Sequence, residues 1–349
     1  MHSPCPSICF LVKLMQNYRI KRDPMAVSSI KKKEKGLDKV RQKIAALHQN
    51  IGRVIKGKPE VISLAIITLL ARGHLLIEDA PGVGKTILAQ GLAMSIHSAF
   101  QRIQFTSDLL PSDILGVPIY NPHTGAFEFK PGPIFTNIVL VDEINRTSPK
   151  TQSSLLEAMN EFQVSVDGQT YPLPQPFMVV ATQNPMEYQG TYPLPESQLD
   201  RFMMRTHMGY PPLAEEKEIL THPRIEEEVK KLEPVLSGQE VIDMQRLADE
   251  IRVEEEILNY IMAIVTATRN ADNLRLGISP RGALFLMRAA KAKAFMEGRD
   301  YCIPDDVKSL VIPILAHRII PASGYGIDGY HEEAERTLME ILDCIPVPL

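Results

Sequence analysis

The sequence predicts an α/β domain built on a parallel sheet, followed by a smaller α-helical domain. Three observations predict it. The apolar run Leu75-Leu76-Ile77 passes through a Gly/Pro turn into Gly84-Lys85-Thr86, and then into a helical pattern with Leu88, Leu92 and Ile96 four residues apart. A second apolar run, Ile138-Val139-Leu140-Val141, ends in two carboxylates, Asp142 and Glu143. After Tyr210-Pro211-Pro212 no fresh strand series appears, and charge-rich helical patterns continue instead. Short runs that are apolar throughout fit strands buried on both faces, as in a parallel sheet covered by helices. The expected divisions are 1–36, a poorly ordered leader; 37–212, the α/β domain; and 213–349, the helical domain.

Composition narrows the function classes. The chain has 349 residues, 44% hydrophobic and 23% charged, which is ordinary for a globular protein of about two domains. A formal net charge of −4 argues against a dominant nucleic-acid surface. Cys5, Cys9, Cys302 and Cys344 show neither zinc spacing nor a disulfide framework, so a reducing cytoplasm is expected. No apolar run approaches the roughly 20 residues that span a bilayer. The run Ile8-Cys9-Phe10-Leu11-Val12 is too short and is interrupted by Lys13.

In chain order, residues 1–24 read as a leader with Met25 as a second candidate start, and Lys31-Lys32-Lys33-Glu34-Lys35 as a solvated tail. Residues 37–55 carry Val40, Ile44, Leu47, Ile51 and Ile55 on one helical face. Pro59 opens a very apolar helix through Val61, Leu64, Ile67 and Leu70. Arg102-Ile103-Gln104-Phe105 is a second strand. Residues 106–135 read as a helix interrupted by an exposed hairpin: Ile119-Tyr120 and Phe127-Glu128-Phe129 flank the turn-rich Asn121-Pro122-His123-Thr124-Gly125. Ser148-Pro149 provides an N-cap and a first-turn proline for a helix burying Leu155, Met159 and Phe162. Asp167-Gly168 marks a hairpin over 163–171. Phe177-Met178-Val179-Val180-Ala181-Thr182 is another buried strand with Asn184 just past its end, and 203–208 is a last short one. Ser279-Pro280-Arg281 starts a helix with Leu284, Met287 and Ala294 on one face, and Pro304-Asp305-Asp306 starts another whose acids suit the helix dipole. His207 and His317 sit in apolar stretches and read as packed side chains. The nine histidines show no metal-ligand spacing.

Strand, glycine turn and helix is the order a phosphate loop requires. Its expected contacts are Pro81, Gly82, Val83, Gly84, Lys85, Thr86 and Ile87. The glycines let backbone N–H groups crowd around phosphate oxygens, and the helix N-terminus adds free N–H groups and its positive dipole end. Lys85 is expected to reach the β- and γ-phosphates, and the Thr86 hydroxyl to ligate Mg²⁺. Asp142 is expected to hold Mg²⁺ through its water shell, and Glu143 to orient and polarise the attacking water. Asn184 is placed to hydrogen-bond that water or the γ-phosphate. Asp79 stands where the full pattern has glycine. No nucleophile arrangement of Ser/His/Asp or Cys/His stands out, and G-x-G-x-x-G is absent, so a dinucleotide fold has no support.

Taken together, these residues resemble the MoxR family of AAA+ ATPases over residues 37–345. The resemblance is carried by Glu78-Asp79-Ala80-Pro81-Gly82-Val83-Gly84-Lys85-Thr86, Val141-Asp142-Glu143-Ile144-Asn145-Arg146, Ala181-Thr182-Gln183-Asn184-Pro185, Leu194-Pro195-Glu196-Ser197-Gln198-Leu199-Asp200-Arg201-Phe202 and Ser279-Pro280-Arg281. It implies that Asn184 is sensor 1, Arg281 sensor 2 and Arg201 the arginine finger that completes a neighbouring subunit's site, with Arg146 an alternative interface contact. It makes 106–135 the helix-2 insert, 163–172 the hairpin before sensor 1, and the C-terminal domain a helical lid. The implied activity is Mg²⁺-dependent ATP hydrolysis by a homo-oligomeric, hexameric ring. That ring is expected to act as a chaperone in maturing or assembling protein complexes or inserting metal cofactors, with a partner carrying a von Willebrand factor A domain and with neither nucleic acid nor membrane insertion. A magnesium-chelatase-like ATPase subunit, a nucleotide-gated scaffold with little turnover, and a nucleic-acid motor are the rival readings.

Overall fold

The computed structural model describes residues 24–80, 82–184, 191–221, 225–322 and 330–348, without the side chains of 24–35, 37, 219, 225 and 226. Val40–Leu349 forms one compact unit and Met1–Lys39 another. Helices α1 (Pro24–Gly52) and α2 (Pro59–Leu70) precede strand β1 (Leu75–Glu78), helix α3 (Lys85–Ser95) and strand β2 (Phe100–Gln104). The short helix α4 (Pro111–Leu115) leads into a hairpin of β3 (Gly116–Asn121) and β4 (Ala126–Pro131). Next come β5 (Ile138–Asp142), α5 (Pro149–Glu161), a hairpin of β6 (Gln163–Val166) and β7 (Gln169–Pro172), and β8 (Met178–Gln183). One-turn helix α6 (Glu196–Leu199) and β9 (Met204–Thr206) follow. The remainder is α7 (Leu213–Thr221), α8 (Ile225–Lys230), α9 (Gly238–Asp249), α10 (Glu255–Asn270), β10 (Leu274–Leu276), α11 (Pro280–Met296), α12 (Pro304–Lys308), α13 (Val311–Leu315), β11 (Ile320–Pro321) and α14 (Tyr330–Cys344).

Five strands pair in parallel in the order β2-β5-β8-β1-β9. All of β1 and β5, and all of β8 but Gln183, are buried, as their uninterrupted apolar sequences require. On one face Leu76, Val139, Val141, Val179 and Ala181 pack with Leu155 and Met159 of α5 and with Phe105, Ile114, Phe177 and Phe202. Each such Leu, Ile or Phe contributes about 1.5–3 kcal/mol by leaving water. The registers pair Gln104 with Asp142, Ile77 with Thr182 and Glu78 with Gln183, so the C-terminal ends of four strands share one edge.

Several expectations change. The helix expected from residue 37 begins at Pro24, because Pro at a helix start and a Lys/Glu-rich sequence both favour helix. The C-terminal part is not wholly helical: β10 and β11 form a small antiparallel ribbon. Such three- and two-residue strands carry no periodicity to detect. Helix α11 buries Ala294 as expected, together with Gly282, Leu286, Ala289, Ala290, Ala292 and Phe295, but leaves Leu284 half exposed, so its core face is wider than the one expected and does not include Leu284. His317 is buried as expected, but His207 is exposed, its Nδ1 2.6 Å from the Glu78 carbonyl. The hairpin β3–β4 is exposed as expected, with Phe127 72% accessible.

A buried ion pair ties the last helix to the sheet. Arg205 of β9 donates to Glu78 of β1 at 3.2 Å and to Glu335 of α14 at 2.9 Å, and also meets the His331 ring. Burial and the Arg205 charge hold His331 below its ordinary pKa.

His74, just before β1, is fully buried between sheet and helix α5. Its Nδ1 accepts from Val179 N–H at 3.0 Å, so its Nε2 carries the proton and donates to Met159 O at 3.0 Å. Burial, followed by Arg288, pushes its pKa down to about 4, against the weaker raising effect of the Met159 bond. Above pH 6.5 both folded and unfolded states keep it neutral. As pH falls from 6.5 toward 4 only the unfolded chain takes the proton, so stability is lost by up to about 1.4 kcal/mol per pH unit. Urea denaturation should therefore show a lower midpoint at pH 5 than at pH 7.5, and a smaller drop for His74→Gln. Equal drops in both proteins would assign the effect elsewhere.

Candidate functional site

The shared C-terminal edge of β2, β5, β8 and β1 opens into a cavity of about 300 Å³. It is lined by Gly82, Gly84, Lys85, Thr86, Ile87, Arg102, Gln104, Asp142, Glu143, Thr182 and Asn184. Gly82 and Gly84 adopt φ of +87° and +96°, a region side chains rarely enter, and this turns the chain from β1 into α3. Gly84 is the N-cap of α3, so the first N–H groups of that helix face the cavity mouth without a side-chain cap. The expected contacts are thus brought together except for two. Val83 is not among the residues lining the cavity, and Pro81 lies outside the described residues.

Asp79 does not disturb this loop. Its carboxylate accepts from Ala80 N–H at 2.9 Å and from Gly209 N–H at 2.5 Å, pinning the loop to the segment after β9. Lys85 Nζ donates to the Asp79 carbonyl at 2.7 Å. Burial draws the Lys85 pKa below its ordinary value, while Asp79, Asp142 and Glu143 oppose the shift.

Opposite the loop, Thr182 Oγ donates to Asp142 Oδ1 at 2.9 Å and accepts from Glu143 N–H at 3.0 Å. Glu143 has left-handed backbone (φ +56°, ψ +52°), which turns its side chain out of the strand line. Its carboxylate meets Gln104 Nε2 at 2.9 Å and Arg146 Nε at 3.0 Å. Arg146, the alternative interface residue, is therefore engaged at this carboxylate.

Arg102 is the functional candidate that sequence reasoning missed. From the exposed edge strand β2 it donates to Asp142 Oδ2, Nε at 2.7 Å and a terminal nitrogen at 2.6 Å. The signal was present in Arg102-Ile103-Gln104: alternating polar residues at the end of a strand beside the Asp142 strand face the same edge. The oxygen donors Thr86 and Asp142 share the cavity, which suits a hard divalent cation that keeps most of its waters. Among the described residues no cluster of three or more His, Cys, Asp or Glu stands ready to hold a metal.

Arg201 and Arg281 are not brought to this cavity. Arg201 is half-buried beyond α6 and donates to Leu156 O at 2.6 Å. Arg281 is exposed, 3.9 Å from Asp200 Oδ2. Their sequence neighbours Asp200, Ser279 and Pro280 line, with Arg275, Arg318 and others, a larger cavity of about 710 Å³ that includes neither arginine and none of the phosphate-loop residues. Removing the Thr182 hydroxyl would leave Asp142 Oδ1 and Glu143 N–H short of a partner. Thr182→Val should therefore cost about 1–3 kcal/mol, read as a lower denaturant midpoint.

Comparison with known proteins agrees with this geometry. The model of the ATPase family associated with various cellular activities (AAA) matches residues 74–204, and that of the AAA lid domain matches residues 266–340. YeaC of Bacillus subtilis, described as uncharacterized, is 50% identical over 301 residues, covering 86% of this chain and 93% of YeaC. The chaperone MoxR1 of Mycobacterium tuberculosis is 39% identical over 279 residues, covering 77% of this chain and 74% of MoxR1. A crystal structure described as that of an ATPase from Cytophaga hutchinsonii superposes with a TM-score of 0.82 at 38% identity, covering 93% of this chain and all of that one.

Proposed function

We propose, for a chain that belongs to the MoxR family of AAA+ ATPases and is an ATPase, that it hydrolyses ATP in a Mg²⁺-dependent, homo-oligomeric ring, each active site being completed by a neighbour. The observation that carries this reading is the division of the site. Lys85, Thr86, Asp142, Glu143 and Asn184 converge on one cavity, while Arg201, on the Leu156 carbonyl, and Arg281, beside Asp200, both stand outside it.

In this reading the N–H groups of the Gly82–Gly84 turn and of the start of α3 bind the phosphates. Lys85 leaves the Asp79 carbonyl for the β- and γ-phosphates. Thr86 and Asp142 hold Mg²⁺, which when bound neutralises charge on the phosphoryl oxygens. Arg102 must give up Asp142 Oδ2 for this, and its half-exposed position on an edge strand makes that exchange inexpensive. Glu143 orients the attacking water, and Asn184 faces the same space. Charge remaining on the γ-phosphoryl group is met by Arg201 and Arg281 of the adjacent subunit. Arg201 must first release Leu156 O.

The same reading gives the protein the role of a cytoplasmic chaperone in the maturation or assembly of protein complexes or in metal-cofactor insertion. The C-terminal lid (213–349) would move against the α/β domain (37–212) and pass that motion to the exposed β3–β4 hairpin. A client and a von Willebrand factor A domain protein are the proposed partners. The name of the chaperone MoxR1 supports this assignment. Among the described residues no helix is long and apolar enough to cross a membrane.

ATP turnover against protein concentration tests the core of the proposal. Specific activity should rise with concentration, and Glu143→Gln should remove it. Arg201→Ala should lower kcat by roughly 10³–10⁵-fold, the worth of a finger arginine in this reaction class. Turnover by Arg201→Ala near the wild-type rate would remove Arg201 from the role. A wild type with no turnover at any concentration would favour the nucleotide-gated scaffold.

A further inference from the structure

We infer that Asp200 and Arg318 form a positioning unit that holds the finger Arg201 and the sensor Arg281 as one block. The inference rests on the reading that both arginines serve a neighbour's nucleotide.

Arg318 ends a 3₁₀ turn, Ala316–Arg318, and its side chain is 1% exposed. Its Nε donates to Asp200 Oδ1 at 2.9 Å. One terminal nitrogen donates to the carbonyls of Asp200, at 3.2 Å, and Phe202, and the other to those of Met203, at 3.3 Å, and Ile314. The two carbonyls that bracket Arg201 in sequence, those of Asp200 and Phe202, therefore converge on one guanidinium. Only a planar fork of N–H donors serves so many acceptors at once, and an ammonium group cannot replace it.

Asp200 faces the other way as well. Ser279 Oγ donates to both its carboxylate oxygens at 3.2 Å, and the same hydroxyl accepts from Gly282 N–H at 3.1 Å as the N-cap of α11. Arg281, in the first turn of α11, is 3.9 Å from Asp200 Oδ2. One carboxylate thus pins the start of the sensor helix and neutralises the arginine that clamps the finger's backbone. Gly282 completes the fit: a Cβ there would stand 3.0 Å from Arg318 Cδ and 2.8 Å from Ile278 Cγ2, so the helix start reaches the arginine only without a side chain. The finger segment and the start of α11 are in this way joined through one carboxylate and one guanidinium.

A core clamp with no bearing on catalysis would matter for folding alone, and complementation between subunits separates the two. Arg201→Ala subunits keep a competent nucleotide site but lack the finger, and Glu143→Gln subunits keep the finger but cannot hydrolyse. Mixing them should restore turnover. If it does not, the neighbour-completed site is wrong and the inference falls with it. The Glu143→Gln partner is then replaced by one also carrying Asp200→Asn and Arg318→Met, which removes both buried charges together and is tolerated better than removing one. Restored kcat should fall by about 10- to 100-fold, the scale of a misplaced catalytic group. KM for ATP of the mixture and binding of a fluorescent ATP analogue by the partner should match those found with Glu143→Gln, while the partner stays folded with a lower thermal midpoint, since the carbonyls that Arg318 served lose their donor. Should that partner fail to fold, Glu143→Gln with Ser279→Ala cuts Asp200 from α11 without touching Arg318, and the drop expected is about threefold to tenfold. Full complementation by either partner would overturn the inference.

Discussion

Parallel register is the constraint on which the site depends. Because Gln104 pairs with Asp142, Ile77 with Thr182 and Glu78 with Gln183, the ends of four strands lie level. Gln104, Asp142, Glu143, Thr182 and Asn184 are on or just past those ends, and Lys85 and Thr86 open the helix that the loop after β1 leads into. A slip of a single residue would exchange Asp142 with Val141, turning the carboxylate into the core and an isopropyl group toward the cavity. The register is held by strands apolar on both faces, which cannot shift without exposing hydrocarbon, and by polar bonds across them. Thr182 reaches from β8 to both Asp142 and Glu143, and His74 reaches from β1 to β8 and α5.

The cavity balances its own charges. Lys85 and Arg102 stand against Asp142 and Glu143, and each has protein partners as the chain stands. In the proposed reading, binding a polyphosphate and a divalent cation would be an exchange of partners that leaves few groups to be newly desolvated. Lys85 would trade a neutral carbonyl for phosphate oxygens, a stronger charge-assisted bond. The deeper pair of Glu78 and Arg205 plays a different part. Buried ion pairs gain little net stability but are costly to break one partner at a time. Its extension to Glu335 thus registers the last helix on the sheet directly beneath the phosphate loop.

The motifs were legible residue by residue. Gly84-Lys85-Thr86 after an apolar run, and two carboxylates after another, need only local rules: a buried strand, a glycine turn, a helix start. The hairpins at Asn121–Gly125 and Asp167-Gly168, and the caps at Ser148 and Ser279, follow from turn and cap chemistry in the same way. The partner of Asp142 was not legible in that manner. Arg102 is 40 residues away, and only the pairing of β2 with β5 makes it a neighbour. The same holds for Asp79, whose carboxylate is answered by an amide 130 residues further on. The core face of α11 was only partly legible, Ala294 but not Leu284 being buried, because alanines and a glycine, weak markers of hydrophobicity, form most of it.

Sequence alone determined the family and the strand–loop–helix order, and it named the side chains proposed for phosphate, metal and water chemistry, because those features are set within a few residues of one another. Tertiary structure alone decided that the cavity holds Lys85, Thr86, Asp142, Glu143 and Asn184 but neither Arg201 nor Arg281. It alone decided that Arg102 covers Asp142, and that Arg318 gathers the carbonyls on both sides of Arg201. Those contacts join residues 40 to 118 positions apart. Their geometry comes from strand order and from how helices close over the sheet, which no local pattern encodes.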